Sequence, residues 1–418
     1  MVVDVDVAVV GAGAAGLAAT RSLLQAGLSV TLFEADSRSG GRAHTETMRD
    51  GSPFDLGCHW LHSASINPFV VIADQLGCRY QKRAVSGRYV RGGRWLPVAE
   101  AATLEQALID YKVAMAAAWS RGEDISVFEA IDRDSPWTPV LDYFTALNTS
   151  AEVDQVSIGD ILNYQDTEED WPVSDGYGEL VARWATGIPV QLNTAVQQIH
   201  WDGAGVAVET VRGTLTASRI IVAVSTGVLA AGQIRFVPEL PGSKLAAIAA
   251  LPLGNYNRIR LEIDRHLFAD DLPERIVVEH GELPPMSLAL RPYQQDCVVG
   301  MVAGRYADWL ERAGPEASRQ AVIDSLCQAL GNDMAKHVRG DRQSAWRGNP
   351  YVLGAYSASA PGQFHQRAAL AGPLNERLFF CGEATSTNQF CTCHGAKITG
   401  ERAATEVATS LGITSRLH

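Results

Sequence analysis

The chain has 418 residues, of which 46% are hydrophobic and 20% are charged, and its formal net charge at pH 7 is −12. This length exceeds what one ordinary hydrophobic core accommodates, so it predicts two domains. The acidic balance argues against a general nucleic-acid-binding protein, because such proteins contact phosphates through an excess of Lys and Arg.

The first predicted elements form a βαβ unit. Residues 5–10 are β-branched and apolar, which predicts a buried parallel strand. Residues 17–26 predict a helix that ends at Gly27, and residues 29–34 predict a second strand. Such a unit presents a strand end and a helix N-terminus to a ligand.

A glycine-rich turn joins the first strand to the helix. Gly11, Gly13 and Gly16 permit a tight turn, close approach of the backbone to a pyrophosphate, and packing of the helix on the strand. The helix N-terminus offers free N–H groups and a positive dipole end. Glu34 closes the second strand, where an acid can accept hydrogen bonds from ribose hydroxyls. This order predicts a dinucleotide site rather than a merely structural unit. Its other lining residues are expected to be Ala14, Ala15, Ala35, Gly41 and Arg42.

The pattern changes after the βαβ unit. Residues 65–150 predict a mostly helical insertion, with a helix over 104–119. Residues 187–211 return to short alternating strands, with a turn at Asp202 and Gly203. The later predictions are strands over 220–224, 258–263 and 378–380, and helices over 315–330 and 395–411.

Eight motifs along the chain together point to one family. They are VAVVGAGAAGL (7–17), VTLFEADSRSGGRAHT (30–45), DLGCHWLH (55–62), VSDGYGEL (173–180), LNTAVQQI (192–199), IRFVPELP (234–241), FCGEAT (380–385) and TCHGA (392–396). In this order they resemble the motifs of the flavin-containing amine oxidases, the family of monoamine oxidases, polyamine oxidases and lysine-specific histone demethylases. The middle and last motifs fit this family better than carotenoid desaturases or protoporphyrinogen oxidases, which share the first block.

The resemblance implies an α/β fold with a Rossmann-like FAD-binding domain of the glutathione-reductase type. An interleaved α+β substrate domain, made of a mixed sheet and the helical insertion, accompanies it. The expected bounds are 1–75, 187–242 and 352–418 for the FAD-binding domain, and 76–186 and 243–351 for the substrate domain.

The resemblance also implies which residues contact FAD. Arg42, after a glycine pair, would reach a phosphate, although an exposed surface arginine is the alternative. Trp346 would pack near the flavin, although simple core packing is the alternative. The helix that follows Thr392 would stabilise negative charge on the reduced flavin. The remaining expected contacts are Gly57, Cys58, His59 and Trp60 at the flavin edge, Val196 at the adenine, Gly382 and Glu383 at the ribityl chain, and Thr392 and Cys393 at the pyrimidine ring.

The implied activity is oxidation of an amine, with hydride transfer to flavin N5, hydrolysis of the imine, and hydrogen peroxide as the product of reoxidation. Tyr356 and Thr392 occupy the positions that flank the substrate nitrogen, with a core tyrosine as the alternative for Tyr356. His59 is expected at the substrate channel, ahead of His62, for which a structural role is at least as good an interpretation. Ala355 stands where monoamine oxidases carry their flavin-linking cysteine, so non-covalent FAD is expected.

Arg258 departs from the family pattern, which has a lysine here that holds a water at flavin N5. Arginine is bulkier, forked and permanently charged. We therefore expect slow reaction with oxygen, or transfer of electrons to another acceptor. Lys244 is not expected to replace the missing lysine, because it falls on a predicted surface helix as a solvated charge.

Three functional hypotheses stay open on the sequence. A polyamine oxidase is favoured. An amino-acid or alkaloid oxidoreductase or dehydrogenase, which would bind a carboxylate through Arg258 or through an arginine of the insertion, is second. A flavoprotein without turnover is third. The acidic residues 168–170 could attract a polyamine, but a solvated loop is the preferred interpretation.

Expectations about cysteines, metals and location complete the sequence-based predictions. Seven cysteines, an odd number, predict free thiols and no metal centre. No signal peptide or membrane span is visible, so we expect a cytoplasmic monomer or homodimer without membrane or nucleic-acid partners.

Overall fold

The computed structural model describes residues 3–264, 268–269, 271–281 and 283–413. Two large sheets organise these residues, one of eight strands and one of seven. Within the described ranges the strands are β1 Val5–Val10, β2 Val30–Phe33, β3 Thr45–Thr47, β4 Pro53–Asp55, β5 Trp60–Leu61, β6 Gly87–Arg91, β7 Arg94–Trp95, β8 Trp171–Pro172, β9 Val190–Gln191, β10 Val196–His200, β11 Val206–Thr210, β12 Gly213–Val222, β13 Arg235–Val237, β14 Tyr256–Ile263, β15 Arg275–His280, β16 Leu283–Leu290, β17 Cys297–Ala303, β18 Val338–Gln343 and β19 Leu378–Phe380.

The α-helices lie between these strands and at the end of the chain. In the same described ranges they are α1 Ala14–Gln25, α2 Pro68–Leu76, α3 Val98–Ser120, α4 Val127–Ala130, α5 Thr138–Thr149, α6 Ile158–Leu162, α7 Tyr177–Trp184, α8 Thr226–Ala230, α9 Gly242–Ala249, α10 Gly304–Ala313, α11 Pro315–Leu330, α12 Gln366–Ala371 and α13 Cys393–Ser410. None of these helices has the length and apolar character needed to cross a membrane.

The eight-stranded sheet is built around β1. Its order is β13-β10-β11-β12-β1-β2-β9, and β19 lies beside the C-terminal part of β12. β1 pairs in parallel with β2 and with β12, while β10, β11 and β12 form an antiparallel meander. The predicted strands 5–10, 29–34 and 378–380 and the short strands of 187–211 are confirmed. The carboxyl ends of β1, β2, β12 and β19 meet at one edge, where an open α/β sheet binds its ligand.

The seven-stranded sheet has the order β18-β14-β17-β16-β15-β6-β7. Helix α11 packs on one face of it through Val322 and Leu326. The predicted helical insertion contains α2, α3, α4 and α5, but the prediction missed β6 and β7, which fall inside it and extend this sheet. β6 is short, and three of its five residues are charged or polar, so its sequence does not show the alternation of apolar and polar residues that predicts a strand.

The first and last long helices, α1 and α13, cross closely. A side chain on Gly400 would place its Cβ 2.1 Å from the carbonyl oxygen of Ala15, so only glycine permits this approach. The apolar core beneath them includes Leu17 and Leu23 of α1 and Val407 of α13. The N-terminal helix α1 and the C-terminal helix α13 therefore pack together against the eight-stranded sheet.

Lys244 corrects one sequence expectation. Its side chain is not solvated: the residue is 3% exposed, and the ammonium group donates hydrogen bonds of 2.6 to 2.9 Å to the carbonyl oxygens of Ala369, Leu370 and Gly372. These carbonyl groups belong to the last turn of α12 and the residue after it. The last carbonyl groups of a helix have no N–H partner within the helix. Burial lowers the pKa of Lys244 to about 8. The lysine caps a neighbouring helix, which its own sequence context does not reveal.

Candidate active site

The glycine-rich turn at the end of β1 is closed by backbone contacts. A Cβ on Gly16 would lie 1.8 Å from the carbonyl oxygen of Gly11, so α1 approaches the turn as only glycine allows. Gly11 has φ +99°. At Gly13 a Cβ would meet no atom of the chain within 4 Å. The turn is therefore packed at its first and third glycines and open at its second.

Helix α1 begins at this open point. Gly13 is its N-cap and has no side chain to accept hydrogen bonds from the first turn. The first N–H groups of the 12-residue helix therefore remain for a ligand. Their positive dipole end favours a phosphate.

Two further predicted residues meet at the turn. The carboxylate of Glu34 accepts hydrogen bonds from the backbone N–H of Ala12 at 2.7 Å and of Asp36 at 2.9 Å. Each carboxylate oxygen keeps further acceptor capacity for hydroxyl groups. The backbone of Gly40 donates to the carbonyl of Ala12, which brings the second glycine pair against the first. The predicted residues of this region are thus assembled in one place.

The partly buried Arg42 and the buried Glu383 form an ion pair that joins distant parts of the chain. Arg42 Nη1 lies 3.0 Å from Glu383 Oε1. Glu383 also accepts hydrogen bonds from the Ser357 hydroxyl at 2.7 Å and from the Cys391 backbone N–H at 3.0 Å. Burial alone would raise the pKa of Glu383, but the charges of Arg42 and Arg367 outweigh it and hold this pKa below its ordinary value. Glu383 is therefore an anion at neutral pH.

The network continues into the helical insertion through residues that the sequence did not indicate. Arg367 donates to the Ser357 hydroxyl at 2.9 Å and forms a bidentate pair of 2.7 and 2.8 Å with Asp160. Arg367 and Asp160 are both almost completely buried. Because these residues lie far apart in sequence and in ordinary surroundings, no local motif could have identified them. They hold Ser357, and through it Glu383.

A small pocket lies beside this ion pair, at the carboxyl edge of the first sheet. Arg42 and Glu383 line it together with Gly382, Ala223 and Val224. Gly382 has φ +132°, and a Cβ there would meet no atom of the chain within 4 Å. The open glycines, the uncapped helix start, the acid at the end of β2 and the partly buried Arg42 fit a dinucleotide of the FAD type.

The motif of residues 55–62 is anchored from two sides. Asp55 accepts hydrogen bonds from the backbone N–H groups of Tyr177 at 3.0 Å and Gly178 at 3.2 Å. A Cβ on Gly57 would lie 1.8 Å from the Arg42 carbonyl oxygen and 3.2 Å from the Trp346 ring. Trp346 is buried and donates from its indole nitrogen to the carbonyl of Leu56 at 3.0 Å. Arg42, Gly57 and Trp346, predicted separately, therefore touch one another.

Three other predicted FAD contacts, Val196, Cys58 and Cys393, lie at two places. Val196 is buried at the start of β10, and the backbone N–H of Thr194 beside it donates to the Glu34 carbonyl at 2.8 Å. Cys58 and Cys393 adjoin each other, since the Cys393 thiol, followed by burial, raises the pKa of Cys58. All seven cysteines of the chain are free. The cofactor roles of these residues stay predictions.

Tyr356 and Thr392 are both held by the protein itself. The Tyr356 hydroxyl donates to the Leu147 carbonyl, and its ring lies 5.9 Å from that of Tyr256. Thr392 caps α13: its hydroxyl accepts from the Gly395 N–H at 3.0 Å and donates to the Gln389 carbonyl at 2.6 Å. The rings of Tyr256 and Tyr356 therefore pack against each other, while the Thr392 side chain caps the N-terminus of α13. The substrate-flanking roles of Tyr356 and Thr392 stay predictions.

His59 and His62 differ in their surroundings. His59 packs against the Trp60 ring at 5.3 Å, and burial, followed by nearby positive charges, holds its pKa well below the ordinary value. His62 Nδ1 lies 3.0 Å from Asp170 Oδ1. The Asp170 side chain is nevertheless 44% exposed, and Glu168 and Glu169 are exposed as well, which agrees with the solvated-loop interpretation.

His394, in the last motif, yields a pH prediction. It accepts a hydrogen bond at 3.2 Å from the Asn67 amide, and its Nε2 is buried without a partner among the described residues. Burial, and to a smaller extent the charge of His62, lowers the pKa of His394 to about 3. The charge of Asp170 acts in the opposite direction. The native state therefore binds fewer protons than the unfolded state between pH 6.5 and 3.

Since the unfolded state gains the proton first, the free energy of unfolding is expected to fall as pH decreases through this window. The contribution of His394 is about 1.4 kcal/mol per pH unit. Denaturant unfolding at several pH values should show that His394→Gln, which keeps an acceptor for Asn67, flattens this slope. An unchanged slope in the variant would contradict the assignment.

Comparison with known proteins places the chain among enzymes with flavins. The family described as flavin containing amine oxidoreductase matches residues 14–95 and 99–408. The chain is 28% identical to Protein FLOWERING LOCUS D of Arabidopsis thaliana over 99% of its length, but spans only 57% of that protein. It is 27% identical to Polyamine oxidase 4 of Oryza sativa subsp. japonica, covering 96% of the chain and 88% of that protein.

A solved structure shares the fold. Cyclohexylamine oxidase from Brevibacterium oxydans IH-35A superposes with a TM-score of 0.81 at 22% identity, over 98% of this chain and all of that one. The predicted α/β fold of an FAD-binding protein is thereby confirmed. The exact domain boundaries stay a prediction. With a match over nearly its whole length, the chain belongs to the family of flavin-containing amine oxidoreductases.

Proposed function

We propose that this protein binds FAD non-covalently and oxidises a small amine. The observation that carries the proposal is the assembly, at the carboxyl edge of one sheet, of the open Gly13, the acid Glu34 and the Arg42–Glu383 pair. The family match supports the flavin, and the buried Ala355 leaves no thiol for a covalent bond at that position.

FAD, when bound, supplies two-electron oxidation. An amine R₂CH–NHR′, water and oxygen would give the carbonyl R₂C=O, the amine R′NH₂ and hydrogen peroxide. The chain's own residues orient the substrate and exclude water. Tyr256 and Tyr356 supply aromatic surface, and burial raises the pKa of both, so they remain neutral. A neutral, partly apolar site favours the neutral form of the amine, which is the form that is oxidised.

The surroundings of Arg258 support the expected weak reaction with oxygen. Its side chain is 6% exposed, and Nη1 donates to the Asp55 carbonyl at 2.7 Å. A guanidinium fixed in this way differs from a flexible ammonium group in shape and in the water it can hold. We propose that reoxidation by oxygen is slow, or that another acceptor takes the electrons.

A double-mixing experiment tests the proposal. The protein is mixed anaerobically with a panel of primary and secondary amines, including polyamines, and flavin absorbance near 450 nm is followed. The expected result is bleaching by at least one amine, followed by slow recovery when oxygen is added. Absence of bleaching by every amine would contradict amine oxidation. Rapid recovery in air-saturated buffer would contradict the assignment of Arg258.

A further inference from the structure

The seven-stranded sheet presents two arginines on the same face. Arg258 of β14 pairs with Met301 of β17, which pairs with Ser287 of β16. Ser287 in turn pairs with Val277 of β15, two residues from Arg275. Since directly opposed residues share a face and residues two apart on a strand also do, Arg258 and Arg275 project from one side.

This face points toward the motif of residues 55–62. The opposite face carries Ile259 and Leu261 and packs on α11. On the arginine side, Val299 of β17 packs with Phe54, Leu56 and Trp346. The two arginines therefore lie on the side where the predicted flavin edge is found.

Neither arginine has a carboxylate partner within ion-pair distance in the described part of the chain. Arg258 donates to the Asp55 backbone carbonyl, and its buried Nε has no partner there. Arg275 donates to the Ser287 hydroxyl at 2.9 Å. By contrast, the buried Arg260 pairs with Asp50 and Glu262, and Arg367 pairs with Asp160.

Among the described residues no polar group near the two arginines forms an ion pair with them. Positive charge from both acts on His59 and on the Tyr256 hydroxyl. The charge of Arg258 also acts on the buried Asp55 carboxylate, but that carboxylate accepts its hydrogen bonds from the Thr45 hydroxyl and from the backbone N–H groups of Tyr177 and Gly178. A small pocket lined by Arg258, Asp55, His59 and Tyr293 adjoins this group.

We propose that the substrate is an amine that also bears a carboxylate, that is, an amino acid, and that Arg258 binds this carboxylate. This rests on the proposed amine oxidation. A guanidinium matches a carboxylate in shape and charge, and a buried unpaired charge is costly until a partner arrives. Arg275 lies on the same face of the sheet and adds positive charge. Its strand is three strand spacings of ~4.8 Å each from the strand of Arg258. The same face repels the second ammonium group of a diamine.

The test compares amino acids with the amines formed by removing only their carboxylate. Suitable pairs are ornithine with putrescine, leucine with isoamylamine, and phenylalanine with phenethylamine, with both enantiomers of each amino acid and with 4-aminobutyrate. Anaerobic flavin bleaching gives the half-saturating concentration of each compound. Binding of the redox-inert carboxylate benzoate, followed by perturbation of the flavin spectrum, is a second readout without turnover.

The expected result is bleaching at lower concentration by the amino acid of a pair. Arg258→Met should raise its half-saturating concentration, and the dissociation constant of benzoate, by about tenfold to a hundredfold, because charge-assisted hydrogen bonds are lost. The paired amine should change by less than about threefold. Arg275→Met should have a smaller effect in the same direction, and the exposed Arg121→Met is the matched control.

Other outcomes separate this inference from the proposed function. Bleaching by the amines alone, unchanged in Arg258→Met, would overturn the inference and leave amine oxidation standing. Bleaching by no compound, together with benzoate binding that Arg258→Met abolishes, would support the anion site and contradict amine oxidation. If Arg258→Met does not fold, Arg258→Lys keeps the charge without the fork and should weaken benzoate binding; unchanged binding in this variant would overturn the role of Arg258.

Discussion

Replacing Gly13 by valine is expected to abolish most flavin binding while the apoprotein folds normally. A Cβ at Gly13 meets no atom of the chain within 4 Å, and its φ of −73° suits any residue. The added side chain instead occupies the space that the pyrophosphate needs above the start of α1. Loss of one or two charge-assisted hydrogen bonds weakens FAD binding by on the order of a hundredfold or more.

The matched variant is Gly16→Val, which acts for a different reason. Its Cβ would lie 1.8 Å from the Gly11 carbonyl oxygen, so α1 must move away from the turn. Both the free energy of unfolding and flavin affinity should fall. Denaturant unfolding of the two apoproteins and titration with FAD distinguish them. Normal flavin affinity in Gly13→Val would refute the placement of the pyrophosphate.

The second large effect is expected at the buried pair of Arg367 and Asp160. Arg367→Met leaves the Asp160 carboxylate unpaired in a site that is 1% accessible, and Asp160→Asn leaves the guanidinium unpaired. Each single change should lower the free energy of unfolding by about 3–5 kcal/mol, because an uncompensated buried charge remains. The double variant should lose much less than the sum of the two changes.

This network also positions Glu383, so its effect should extend to the cofactor. Arg367→Met releases the Ser357 hydroxyl, which holds Glu383 at 2.7 Å, and flavin affinity should fall with stability. Arg121→Met, which breaks the exposed pair with Glu123, should leave both the free energy of unfolding and flavin affinity nearly unchanged, because an exposed ion pair is screened by solvent. Equal, small losses in both arginine variants would show that the buried pair has no such role.

The elements that could be predicted from the sequence are those whose local pattern matches the conformation that they adopt in the folded protein. β1 matches its predicted bounds. The glycine turn, Glu34 and Gly40 meet because they belong to one βαβ unit and its continuation. The helix after the turn begins at Ala14 rather than at residue 17, because the glycines and alanines of the turn are themselves helical. Spacing alone does not show where a turn ends and a helix begins.

What the sequence did not predict depends on contacts between distant residues. Lys244 lies in an apolar, alanine-rich helix, and only the carbonyls of α12 explain its burial. Asp160 and Arg367 are separated by more than two hundred residues in sequence. The shared face of Arg258 and Arg275 follows from strand register, which the hydrophobic pattern of isolated strands does not specify. Charged residues become informative only when their partners, or the lack of partners, are known.

Acid precipitation of the purified protein tests most directly whether FAD is bound non-covalently and whether the glycine turn is needed to bind it. We expect the yellow colour to move into the supernatant and to consist of FAD, about one molecule per chain, and we expect much less FAD with Gly13→Val. Colour that stays with the pellet, a released flavin other than FAD, or equal FAD content in the variant would contradict the account.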